Sequence, residues 1–329
     1  MRRLIHSLFA ALLLVLATHV AAQQASAQQA AAQYPNRPIR LIVGFPPGGG
    51  ADSIARLLGD HLSRTLKQPV VVENRPGAET TIAPSVVASA AADGYTLLLA
   101  TEAVFGADRA LYPAIVKYDA SNFTPITRVA STFFVLASNK DAGIRRFADL
   151  AAKSRQSERP LFLASPGGSY LQIIASDLKR LSGLRLEEVP YKGGAPATLA
   201  VMAGDATLTL MGPGALMPLL RDGKIVAVAS TNDRRSPLMP DLPTLAEEGL
   251  TGFSLGFWYG LTGPAGMPQD VVRKLFDATS QALADPAVRQ RLESLGFEPT
   301  PSANPEDFRA TAQRDGAALR TRVMGLQKP

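Results

Sequence analysis

The chain has no cysteine, which excludes a disulfide framework, a thiolate metal site and a lipid-modified N-terminal cysteine. Histidine is nearly as scarce. Of the three, His6 and His19 fall in the N-terminal leader, so the body of the chain holds only His61. Ser–His and Cys–His catalysis, and a histidine-rich metal centre, lack their residues, and nothing in the sequence asks for a cofactor. Aromatic residues make up 6% of the chain, and 34 Lys and Arg against 28 Asp and Glu give a net charge of +6. The basic residues are scattered or in isolated pairs such as Arg145–Arg146 and Arg234–Arg235. Nucleic-acid binding wants a clustered basic face with interleaved aromatics, so the surface reads as solvated and mildly basic.

A long apolar span is also missing. The run from Leu8 to Ala17 is broken by Thr18 and His19, short of the ~20 residues a membrane anchor needs. With Arg2 and Arg3 before it and small residues after it, this run is the pattern of a secretory signal peptide. Residues 1–27 read as signal peptide and leader, with cleavage after Ala22 or Ala27. The expected product is exported and periplasmic, with no stable membrane insertion.

What remains has an ordinary globular composition, 46% apolar, and enough length for two lobes. Short β-branched runs alternate with helical periodicity. Ile39–Phe45, Pro69–Glu73, Gly94–Thr101, Phe133–Ser138, Pro160–Ser165 and Lys224–Thr231 read as buried strands. Ile54, Leu57, Leu58, Leu62 and Leu66 form one helical stripe, and Leu171, Ile174, Leu178 and Leu181 another that stops at Gly183. The class is α/β, with parallel sheets covered on both faces expected.

Two segments share one plan. "FPPGGGADSIARLL" (Phe45–Leu58) and "FLASPGGSYLQIIASDL" (Phe162–Leu178) each run from strand through proline and glycines into a helix. Glycines there let backbone approach a ligand, and the unpaired N–H groups of the first helical turn favour an anion. Such crevices lie beyond strand C-termini in open α/β sheets. Asp52 and Ser169 stand where N-caps belong, which leaves backbone N–H groups around Gly48, Gly49, Gly50 and Ala51 as the better anion donors.

Enzymatic readings of these loops fail on named residues. "GGGADS" has no P-loop lysine, and Ser53 replaces the third glycine of a dinucleotide fingerprint. "GFSLG", Gly252–Gly256, fits the nucleophile elbow, but strand-like sequence and Pro264 follow it, with no later histidine. No carboxylate pair flanked by apolar residues suggests a perturbed pKa.

Seven segments in order, "YPNRPIRLIVGFPPGGGADSIARLL", "PVVVENRPGA", "ADGYTLLLAT", "PYKGGAPA", "RRSPLMPDLPTLAEEGL", "FWYGLTGPAGMP" and "RQRLESLGFEP", resemble the Bug-type receptors of the tripartite tricarboxylate transporter family, from about Tyr34 to the end. The resemblance implies a two-lobed type II periplasmic binding-protein fold with a ligand cleft between the lobes and two crossing strands, near Ser131–Ala137 and Leu255–Leu261. Lobe 1 would comprise residues 34–130 and 258–329, lobe 2 residues 131–257, with C-terminal helices at Gln269–Ala284, Pro286–Leu295 and Pro305–Leu319 on lobe 1. It implies a non-catalytic, monomeric receptor that captures a small organic or aromatic carboxylate and hands it to membrane transporter subunits. An exported enzyme acting on a carboxylate or ester in the same cleft is the rival reading.

The resemblance also assigns a site without metal. The first loop contributes Phe45, Pro47, Gly48, Gly49, Gly50, Ala51 and Asp52. Thr80, Thr81 and Thr101 come from the same lobe. The second loop brings Ser165, Gly167, Gly168, Ser169 and Tyr170, and its neighbours bring Tyr191, Lys192, Gly193 and Gly212. Lys192 reads either as a charge at the cleft mouth or as a solvated loop lysine. Phe105 and Trp258 join Phe45 and Tyr170 as aromatic residues that would line the cleft or fill the core. Two departures stand out. Glu79 is an unexpected charge beside the cleft, and Gly212 stands where relatives place an acid, which argues for a ligand without an ammonium group.

Overall fold

The computed structural model describes residues 34–167, 169–253 and 255–326. The leader at 1–27, Gly168 and Ser254 of the elbow-like motif lie outside the described residues. Eleven strands are described: β1 (Ile39–Val43), β2 (Val70–Asn74), β3 (Thr96–Thr101), β4 (Phe123–Thr132), β5 (Val135–Asn139), β6 (Leu161–Ser165), β7 (Leu186–Pro190), β8 (Leu208–Met211), β9 (Ile225–Ser230), β10 (Phe257–Pro264) and β11 (Glu298–Pro299). They form two sheets, ordered β11-β4-β10-β3-β1-β2 and β7-β6-β8-β5-β9.

The alternation of side chains along each strand explains how both faces are covered. Leu41, Val43, Leu97 and Leu99 share a cluster with α1 (Gly50–Leu66) and α8 (Gln269–Ala284). Ile42, Leu98 and Ala100 face the other way, against Ala83 and Val87 of α2 (Ile82–Ala88) and Phe308 and Ala312 of α10 (Pro305–Leu326). Of the expected stripe on α1, Ile54, Leu58, Leu62 and Leu66 are buried and Leu57 is half-buried. In the second sheet, Leu163 and Leu208 meet Leu150 of α4 (Phe147–Gln156) and Ile174 and Leu178 of α5 (Ser169–Ser182). Val135, Ala137 and Ala164 meet Ala197 and Val201 of α6 (Gly194–Ala203) and Leu216 of α7 (Pro213–Arg221). Each fully buried leucine or isoleucine contributes about 1.5–3 kcal/mol, and the largest of these clusters runs on from the first sheet to the second.

The sheets are mixed rather than parallel, contrary to the expectation from alternating strands and helices. β1 pairs in parallel with β2 and β3, and β6 with β7 and β8. β10 runs antiparallel to β3 and β4, and β5 antiparallel to β8 and β9. The cause is the crossing. β4 leaves the first sheet at Thr132 and the chain enters the second at Val135. β10 brings it back with Phe257 opposite Thr132, and strands that leave and return must run in opposite senses. Thr231 N–H donates to Phe134 O and Leu255 N–H to Thr231 O, each at 2.9 Å, so the crossing is a hydrogen-bonded strip.

Of the remaining helices, α9 (Pro286–Ser294) packs on α8 and β11, while α3 (Ala107–Leu111), together with α10, meets α5 and brings the lobes into contact. Tyr112 Oη donates to Gln172 Oε1 of α5 at 2.9 Å. Asp177 of α5 lies between Arg180, at 2.9 Å, and Arg322 of α10, at 3.1 Å. Glycine is required where α10 crosses the segment before α3, since a Cβ on Gly316 would lie 2.6 Å from Phe105 O.

Candidate functional site

The first loop follows β1. Gly48 takes a φ of +82°, which only glycine adopts without strain, and α1 starts at Gly50 with Gly49 as its N-cap. Asp52 is therefore in the first turn rather than at the cap expected for it. Its carboxylate accepts the Gly48 N–H at 2.9 Å and pairs with Arg56 at 2.9 Å. Burial raises its pKa, but Arg56, the Gly48 amide and Asn74 outweigh that and hold it below the usual range. This corrects the expected donor set, because the Gly48 amide serves Asp52. The first-turn amides of Gly50 and Ala51, with that of Gly49 beside them, have no intrahelical acceptor and remain for an anion. Asn74 fixes the loop from the end of β2 by donating to Phe45 O at 3.1 Å.

The second loop follows β6 in the same way. Gly167 has φ +81°, and α5 begins at Ser169 itself, one residue earlier than an N-cap role for Ser169 requires. Gly168 is outside the described residues. Tyr191 N–H donates to Ser165 O at 2.7 Å, which sets the Tyr191–Gly193 loop beside the second loop. Lys192 is exposed there. Gly212 is the N-cap of α7, and Thr81, Thr101 and Ser165 are buried.

Aromatic rings connect the two loops. Phe45 packs edge-on against Tyr259, Tyr259 against Phe257, and Phe257 against Tyr170, with centroids 6.2, 4.9 and 4.9 Å apart. Tyr259 is also opposite Thr101 in the sheet, so Thr101 joins this group. Tyr170 stacks on Phe134 and its hydroxyl donates to Gly256 O. Phe105 and Trp258 do not belong here. They are buried on the other face of the first sheet with Phe308, where Trp258 Nε1 donates to Asp315 at 3.1 Å. Residue 258 points away from 257 and 259 because strand side chains alternate.

The structure adds a group that sequence reasoning missed. Glu102 follows β3 and is 3% exposed. Its Oε2 accepts the Trp258 N–H at 3.1 Å, and Tyr170 lies close enough to share a hydrogen bond with the carboxyl. Burial pushes its pKa up to about 8, against the expectation of no perturbed carboxyl. The available signal was a lone acid between "LLLAT" and "AVF". A cavity of about 480 Å³ opens beside it at the crossing strands, with Arg128, Thr132, Tyr170, Trp258 and Arg322 in its wall. The glycine loops lie outside that cavity, and its wall carries both signs of charge.

His61 is held away from both loops, 3.6 Å from Asp285 and 3.4 Å from Thr65, and is structural. Among the described residues no cluster of His, Asp and Glu could hold a metal, and no helix is long and apolar enough to cross a membrane.

Comparisons with known proteins point one way. Residues 54–319 match the model of the tripartite tricarboxylate transporter family receptor. The protein BugT of Bordetella pertussis is 32% identical over 301 residues, 91% of this chain and 92% of that one. MatC of Rhodopseudomonas palustris, solved with bound malate, is 32% identical with a TM-score of 0.79, over 88% of this chain and all of that one. An R. palustris protein solved with adipate is 31% identical with a TM-score of 0.82, over 89% of this chain and 98% of that one. The chain belongs to the family of tripartite tricarboxylate transporter receptors.

Proposed function

We propose that this protein is an exported, periplasmic receptor that closes its two lobes on a small carboxylate and delivers it to membrane transporter subunits without chemical change. In this reading residues 1–27 are the export leader, residues 34–130 and 258–329 make lobe 1, residues 131–257 make lobe 2, and the receptor works as a monomer. The observation that carries it is the pair of glycine-bearing strand-to-helix loops, one after β1 and one after β6, joined by the Phe45–Tyr259–Phe257–Tyr170 ring contacts. One carboxylate oxygen pair is held by the amides of Gly49, Gly50 and Ala51, where the positive end of α1 favours it. Thr80, Thr81 and Thr101 on one side, and Ser165, Gly167–Tyr170, Tyr191–Gly193 and Gly212 on the other, complete the cleft. Malate and adipate in two similar structures support the carboxylate class.

Thermal unfolding of the leader-free protein, first unfolded and refolded to remove bound solute, tests this against di- and tricarboxylates, aromatic acids and amino acids. A ligand at 100 times its Kd adds about 2.7 kcal/mol, a rise of about 2–6 °C in Tm for a chain of this size. Shifts confined to one acid class, with the acid recovered intact, support the receptor. A ligand that is turned over, or no shift with any acid, refutes it.

A further inference from the structure

The cavity of about 480 Å³ at the crossing strands is built from both halves of the chain, and its size suits a small ligand. The first sheet and α10 supply Glu102, Arg128, Trp258 and Asp315 to its wall. The loop after β9 supplies Asn232–Arg235, with residues 233–235 exposed at the mouth.

Two polar side chains in this wall are left incomplete. Glu102, 3% exposed, takes the Trp258 N–H on Oε2, but its Oε1 is buried with no hydrogen-bond partner. The Tyr170 hydroxyl directs its single proton to Gly256 O and does not fill that place. A buried acceptor without a donor is unfavourable, so the position favours an incoming N–H. Arg128 is the second. Its Nε donates to Thr300 O at 3.0 Å, and burial lowers its pKa against the support of Asp315 and Asp307, neither of which it hydrogen-bonds. The other wall charges are answered within the fold, Arg322 by Asp177, Arg235 by Glu247 and Glu298 by Ser236, or, like Asp233 and Arg234, are exposed.

An ion of one sign completes only one of these groups. A simple anion at Arg128 leaves Glu102 Oε1 bare and meets Asp315, and a simple cation at Glu102 leaves Arg128 unanswered. A molecule carrying both charges serves both, through charge-assisted hydrogen bonds in a partly desolvated space. We infer that this cavity is a second binding site, for a small zwitterion of the amino-acid class, with its ammonium on Glu102 and its carboxylate on Arg128. It is independent of the glycine loops, and its occupant bridges the two sheets where the chain crosses between them.

Titration calorimetry at pH 7 tests this with glycine, β-alanine, 4-aminobutyrate and 6-aminohexanoate, which differ in the distance between their charges. It uses the leader-free protein, E102Q and R128Q. At least one probe should bind the wild type, and each variant should weaken it at least tenfold. Paired with an ammonium, Glu102 should release the proton that burial makes it hold, so heats in two buffers of different ionisation enthalpy should show proton release that E102Q lacks. Of the groups that face it, Tyr170 and Tyr259 are kept neutral by burial, and Asp315 adds like charge that favours the bound proton. Shifts in Tm by dicarboxylates should be the same in wild type and variants, which separates this cavity from the cleft. Binding of none of the four probes to the wild type, or binding that either variant retains, would overturn the second site and leave the receptor reading untouched.

Discussion

Asp177 Oδ2, on α5 of the second lobe, lies 3.1 Å from Arg322 Nε, on α10 of the first, with the aspartate fully buried and the arginine 25% exposed. Arg180, 55% exposed, is the aspartate's other partner. Arg322→Ala, which leaves the buried aspartate charge with only the exposed Arg180 beside it, should therefore destabilise by about 3 kcal/mol, the scale for stranding a buried charge. Arg180→Ala should cost under about 1 kcal/mol, as for an exposed pair. Urea denaturation at neutral pH separates the two, and equal losses would show that Arg322 contributes no more than the exposed arginine.

Glu102 predicts a pH dependence of stability. Its folded pKa, about 8, is above the ordinary 4.5, so between those values the folded protein keeps a proton that the unfolded chain has lost. The stabilisation is complete below about pH 4.5 and falls as pH rises toward 8, by about 1.4 kcal/mol per unit. Glu102→Gln, which imitates the protonated acid, should flatten this fall. Denaturation midpoints from pH 5 to 8 give the slope, and an unchanged slope in the variant would mean Glu102 is ionised in the folded state.

Gly316 sits inside α10, where Ala would ordinarily gain about 1 kcal/mol from helix propensity. Here the added Cβ would meet Phe105 O at 2.6 Å. Overpacking costs about 1–3 kcal/mol, and backbone against backbone belongs at the upper end. Gly316→Ala should lower Tm by several degrees, and a rise in Tm would contradict the close approach.

Ala78→Gly should act in the opposite direction. Ala78 is exposed with φ +44°, and relief of about 1–2 kcal/mol of left-handed strain outweighs the glycine's extra entropy in the unfolded chain. A net gain of about 0.5–1 kcal/mol by thermal or urea unfolding is expected, and a loss would mean the turn needs the alanine side chain.

Sequence reading reached what local pattern encodes. The third helix from the end spans Gln269–Ala284 in both reading and structure, and the strand runs fell within a few residues of their positions. Contacts fixed by distant partners were not legible. The side on which Trp258 lies follows from the pairing of Phe257 with Thr132 and of Tyr259 with Thr101, residues far away in the chain. Likewise, the cap at Gly49 and the back-reach of Asp52 to Gly48 come from the path of the loop, which composition does not state. Glu102 looked like any lone acid until β10 arrived beside it. Glu79 was visible as an anomaly, but its left-handed backbone, with φ +55°, is one that no propensity favours.

The strand order of the first sheet bears on how the chain acquires its structure. β10, inserted between β3 and β4, is made only after every strand of the second sheet. As the polypeptide emerges, residues 135–230 can complete their own sheet first. The edges of β3 and β4 meanwhile stay unzipped until residues 257–264 arrive, so the first lobe is begun first and finished last.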